Sequence, residues 1–116
     1  MEIEHDASLL RIFLGESDKI GAVPVYEKIV QEAKRSGLAG ATVFKGILGF
    51  GRSSRIHTAK ILRLSEDLPL VIEIVDETAK IEEFLPVLDG MFETALCGGL
   101  ITIEKAEVIK YFGKKK

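Results

Sequence analysis

The residues best suited to chemistry lie between Gly49 and Arg55, where GFGRSSR sets two glycines, two serines and two arginines around Phe50. Glycines let main-chain N–H groups approach an anion closely, and a neighbouring guanidinium adds bidentate, charge-assisted hydrogen bonds. Gly49, Gly51 and Arg52 therefore suit a phosphate group, although the same composition also describes an ordinary turn. The surrounding charge favours the anion. Between Ala33 and Ser65 there is no Asp or Glu, while Lys34, Arg35, Lys45, Arg52, Arg55, Lys60 and Arg63 supply seven of the 16 basic residues. In a chain of net charge −2, that local excess suits one bound anion better than the coating of a long nucleic acid. A second glycine pair, Gly98 and Gly99, reads on its own as turn chemistry.

Other chemistries find less support. Nucleophilic catalysis needs a base beside a serine or cysteine, and the two histidines, His5 and His57, stand in no legible relation to Cys97 or to any serine. The same three residues match no metal-ligand spacing, so no metal site and no catalytic residue is expected, and Cys97 reads as a small buried thiol. Glu66 with Asp67, and Glu82 with Glu83, are adjacent pairs of the kind that solvate a surface. RNA binding would need aromatic side chains exposed on middle strands. Phe13 and Phe44 are the candidates, but no aromatic-basic signature accompanies them, and no nucleic-acid partner is expected. The terminal Lys114, Lys115 and Lys116 read as a solvated tail.

Positioning these residues falls to a single domain, because 116 residues support one ordinary hydrophobic core. Hydrophobic residues at 47% and charged residues at 29% are globular values. No apolar run approaches the ~18 residues of a membrane span, and the acidic MEIEHDAS start is unlike a secretory signal, so a cytoplasmic protein is expected. Residues 1–7 and 113–116 read as frayed ends, and 49–63 as a flexible loop. Asparagine is absent and Gln31 is the only glutamine, a bias found in some heat-adapted proteins.

The elements follow from periodicity. SLLRIFL (Ser8–Leu14) is a dense apolar run with one charge, an interior strand. Pro24 suits a first helical turn, and Val25, Ile29, Val30 and Ala33 recur at helical spacing, predicting a helix over Val23–Ser36 that Gly37 stops. LAGATVFKGIL predicts a second strand reaching Leu48, its glycines marking bends or close backbone approach. IHTAKILRL reads as a strand or hairpin arm, and LPLVIEIVD as a central strand whose Asp76 caps the next helix. In that helix Ile81, Phe84, Leu85, Leu88, Phe92 and Ala95 form one stripe, and Pro86 predicts a kink or restart near Phe84. LITIEKAEVIKYF alternates as a final half-buried strand. The order strand, helix, strand, strand, helix, strand predicts an α+β, ferredoxin-like βαββαβ sandwich: a four-stranded antiparallel sheet with two helices on one face. That fold hosts many unrelated activities.

GLAGATVFKGILGFGR, continued by IHTAKILRLSEDLPLVIEIVDE and closed by LITIEKAEVI, resembles the PII signalling superfamily, and more narrowly its PII-like branch catalogued as domain of unknown function 190. The resemblance spans nearly the whole chain. It implies a non-catalytic signalling or regulatory homotrimer with an adenine nucleotide (ADP, AMP or ATP) in clefts between subunits and no obligatory cofactor. Its protein target is unknown, a membrane transport protein being one candidate. Residue by residue, it assigns nucleotide contacts to Thr42, Gly49, Phe50, Gly51 and Arg52, to the turn Cys97, Gly98 and Gly99 before the last strand, with Gly98 and Gly99 as the contacts, and to Lys110 late in that strand; Lys45 is a further nucleotide-binding candidate. One extra residue lies between Thr42 and Gly49 relative to the usual spacing, implying a bulge or shifted loop base. Leu100 stands where the family carries a lysine, so ADP or AMP is favoured over ATP, with Arg52, Arg55 or Lys45 as compensating charges. The uridylylated tyrosine has no counterpart, since the tyrosines are Tyr26 and Tyr111. A structural or protein-interaction trimer without nucleotide is the alternative reading, and an RNA-binding module a weaker one.

Overall fold

Two nine-residue strands set the frame of this computed structural model, which describes residues 6–50 and 67–113: β1 (Ala7–Gly15) and β5 (Pro69–Glu77). In β1 every second side chain, Leu10, Ile12 and Leu14, is buried, and in β5 Leu70, Ile72 and Ile74 match them across the ladder. A period of two is what a sheet with one covered face requires. Between them lie a two-stranded hairpin, β2 (Lys19–Ile20) with β3 (Val23–Pro24), then helix α1 (Val25–Arg35) and the short strand β4 (Thr42–Lys45). After β5 come α2 (Thr78–Ala95) and β6 (Leu100–Ala106). The main sheet is antiparallel with order β4-β5-β1-β6. Both helices give their buried residues to one core: Val25, Ile29 and Ala33 from α1, Ile81, Phe84 and Leu88 from α2. This is the expected ferredoxin-like sandwich.

Several boundaries differ from expectation, each for a local reason. Helix α1 starts at Val25 because Val23 and Pro24 pair with the preceding hairpin strand, leaving Pro24 as N-cap. Gly37 does stop it, at φ +80°, a left-handed conformation in which a side chain would strain. Strand β4 ends at Lys45 instead of Leu48: the Gly46 N–H donates to the Pro69 carbonyl at 2.7 Å, and a Cβ on Gly46 would lie 2.8 Å from the Pro69 ring. Close approach is therefore the reason for Gly46, whereas Gly40 meets nothing within 4 Å. The last strand ends at Ala106, opposite Ala7, because the β1 ladder begins there. Lys110 consequently lies beyond the strand. The predicted arm IHTAKILRL, residues 51–63 of the predicted loop, and the terminal lysines lie outside the described residues.

Pro86 neither breaks nor restarts α2, which runs unbroken through it. The proline stands on the exposed side, where the carbonyl it leaves unpaired can turn to water. Asp76 is a strand residue, not the helix cap; Glu77 takes that place without a side-chain cap bond. The Asp76 carboxylate is fully buried and accepts the N–H of Ala39 at 2.8 Å and of Glu77 at 2.7 Å, tying the approach to β4 onto β5. Replacing Asp76 by Ala orphans both donors, and urea unfolding should show a loss of about 1–3 kcal/mol, the usual cost of stranding buried partners. Leu88→Ala, in the core between α2 and the sheet, should cost about 2–5 kcal/mol in the same assay.

Candidate functional site

Antiparallel pairing decides which loops share an end of the sheet. The last residue of β4, Lys45, stands opposite Leu70, and Leu70 opposite Leu14; the first residue of β6, Leu100, stands opposite Phe13. Lys45, Gly46, Gly49 and Phe50 therefore emerge at the same sheet end as Gly98 and Gly99, beside the start of β5 and the end of β1. They emerge at opposite edges, three strand spacings or about 14 Å apart. Thr42 is exposed at the start of β4, opposite Glu73. Lys110 lies at the other end of the sheet, its Nζ 5.8 Å from the centre of the Phe112 ring. One chain thus brings together Lys45, Gly49 and Phe50 on one edge and Gly98 and Gly99 on the other, and leaves Lys110 far from both. Gly51 and Arg52 lie outside the described residues.

Each glycine turn is built by packing. Gly49, like Gly46, lies against Pro69, where a Cβ would come 3.0 Å from the ring. Beyond it the side chains of Ile47 and Phe50 are 93% and 71% exposed, with Leu48 also in solvent. The second turn begins where α2 ends, at Leu96 in a left-handed conformation (φ 54°) that is costly for a residue with a branched side chain. Gly99 follows because a Cβ there would collide with the Phe92 ring and the Phe13 carbonyl.

Among the described residues, the charged groups at this end include several carboxylates. Lys45 is held by Glu16 at 2.8 Å. Asp67 accepts the Ser17 N–H at 3.1 Å, and Asp18 the Gly15 N–H at 3.3 Å. Burial raises the Asp18 carboxyl above its ordinary pKa; the Gly15 N–H opposes that shift and the nearby Asp67 charge adds to it. Burial likewise pushes the Cys97 thiol up, with a smaller contribution from Asp18, which works against thiolate formation at this half-buried residue. A groove of about 480 Å³ opens beside Gly98 and Gly99, with Phe92, Cys97 and Ile101 as apolar lining and Asp89 and Glu93 as its charged residues. Sequence reasoning missed these two carboxylates and Pro69. The i, i+4 spacing of the acids was readable, but only the fold turns that part of α2 toward the glycine turn.

The sheet face away from the helices is largely apolar. Phe44, Val71, Phe13 and Leu100 line up across all four strands, with Phe44 51% and Leu100 57% exposed. Beside this row Arg11 is held by Glu73, at 2.9 Å from its Nε, and by Glu104, and these two partners raise its pKa. Phe13 and Phe44 thus both turn to the open face, as an RNA platform would need, but they share it with two carboxylates around one guanidinium. Among the described residues no three His, Cys, Asp or Glu side chains are grouped to hold a metal ion, and no helix is long and apolar enough to cross a membrane.

Comparison with known proteins agrees with this architecture. Residues 7–108 match the model of the DUF190 family, described as an uncharacterized ACR. A UPF0166 protein of Aquifex aeolicus is 43% identical over 101 residues, covering 87% of this chain and 91% of its own. A UPF0166 protein of Methanocaldococcus jannaschii is 40% identical over 104 residues, 90% of this chain and 93% of its own. Among solved structures, CPII of Thiomonas intermedia K12, a nitrogen regulatory PII-like protein bound to ADP, AMP and bicarbonate, superimposes with a TM-score of 0.66 at 17% identity, over 94% of each chain. A protein of Thermus thermophilus, described as a PII-like signalling protein, gives 0.60 at 17% identity, over 90% of this chain and 94% of its own. The fold is PII-like, and by family model and sequence identity together the chain belongs to the DUF190 family.

Proposed function

We propose that this protein is a non-catalytic PII-like regulator, a homotrimer that holds an adenine nucleotide, ADP or AMP in preference to ATP, in the clefts between its subunits. The observation that carries the reading is the placement of two glycine turns at one sheet end but on opposite edges, too far apart for one copy to close around one phosphate group. A β4 edge of one copy beside the β6 edge of the next would join them. Thr42, Lys45, Gly49, Phe50, Gly51 and Arg52 would then come from one subunit and Gly98 and Gly99 from its neighbour. Lys110 joins only if an adjoining copy carries it there. The uncovered row Phe44, Val71, Phe13 and Leu100 supports assembly, since an exposed apolar face of this extent favours a partner. The ADP and AMP bound by CPII support the ligand class.

Binding would be coupled to the surface that the Gly49 to Arg63 loop presents to a protein target, a membrane transport protein being one candidate. The exposure of Ile47, Leu48 and Phe50 supports such a target, and it also fits the second reading, an interaction trimer without nucleotide.

Light scattering should report three times the monomer mass, and Phe44→Glu, which places a charge in the apolar row, should shift it to monomer; a monomeric parent would overturn the assembly. Calorimetry should show one ADP or AMP per subunit, and Arg52→Ala should weaken binding by about 1.5–3 kcal/mol, the range for a hydrogen bond to a charged group. Equal affinity in mutant and parent would remove Arg52 from the site.

A further inference from the structure

We infer that Asp89 and Glu93 limit how many phosphates the ligand can carry, so that AMP binds more tightly than ADP and ADP more tightly than ATP. This rests on the nucleotide reading above and adds to it the residues that set specificity. The groove beside Gly98 and Gly99 is where the amides of the second glycine turn can meet a phosphate, and among the described residues its charged lining consists of these two carboxylates. They stand four residues apart on α2 and so share one side of the helix. The last turn of α2 carries no basic residue, and among the described residues no lysine or arginine lines the groove. Leu100, the first residue of β6, adds no charge. Cations from a neighbouring copy would meet the first phosphate, but each further phosphate brings more negative charge against the same two carboxylates. Discrimination by repulsion needs no close contact. At near-surface dielectric, like charges within a Debye length of one another cost about three- to tenfold in affinity per added phosphate.

Both acids are exposed, so the double variant Asp89→Asn/Glu93→Gln keeps the core intact, which an unchanged Tm would verify. Calorimetry with AMP, ADP and ATP, in chelator-containing buffer at low and at high NaCl, compares it with the parent. The expected result is the order AMP, ADP, ATP in the parent, a gap that narrows as salt rises, and a gain of about ten- to hundredfold for ATP with little change for AMP in the variant. The same ranking and affinities in both proteins would overturn the inference while leaving the nucleotide reading standing; ATP binding tightest to the parent overturns the inference and the stated preference for ADP or AMP, and leaves only the binding of an adenine nucleotide. Failure of all three nucleotides to bind the parent overturns both together.

Discussion

The structure depends on the register of β1, the one strand paired along both edges over its length with long partners. Ile12 faces Ile72 on one side and Ile101 on the other, and Leu10 faces Ile74 and Ile103. Because side chains alternate, a slip by one residue would send Leu10, Ile12 and Leu14 to the open face and bring Arg11 and Phe13 beneath the helices. Burying Arg11 apart from Glu73 and Glu104 would be prohibitively costly, so the apolar pattern and the ion pairs enforce the same alignment. That alignment also fixes the candidate site, since it decides which strand ends, and hence which loops, lie side by side.

With one face closed by two helices, the other is left holding an apolar row across four strands. On the proposed reading, association of copies would bring the glycine turns of two sheet edges together and would give this apolar face a partner. The packing at those turns is specific. Pro69 wedges against Gly46 and Gly49, and Phe92 against Gly99, so the main chain is held close to its neighbours before any ligand is considered. Preformed backbone geometry of this kind lowers the ordering cost that binding must meet.

Much of the fold is legible from spacing. The strand at Ser8–Leu14, both helices, the stop at Gly37 and the βαββαβ order follow from apolar periodicity and punctuation by Gly and Pro, which are local properties. The ends that differ are set by distant partners: β6 stops where β1 begins, β4 stops where Gly46 meets Pro69, and α1 yields its first residues to a two-residue hairpin. Pro86 reads as an interruption because the breaking rule assumes that the freed carbonyl has no other outlet, and here Pro86 and Glu82, four residues before it, both lie on the exposed side of the helix. Asp76 resembles a helix cap by type and position, yet its carboxylate serves the loop before β4, thirty-seven residues away in sequence.

For the site, residue chemistry marks the two glycine turns and the acid-free stretch from Ala33 to Ser65, and the resemblance to PII-like proteins joins them into one hypothesis. Side-chain type and spacing determined that much, because the conformational freedom of glycine and the charge of arginine belong to the residue wherever it sits. Only the tertiary structure decided that Lys45 is engaged by Glu16, that Lys110 lies at the far end of the sheet, and that Asp89 and Glu93 border the second turn. Those are relations between segments far apart in the chain, set by strand pairing and helix packing, which no local pattern of residues encodes.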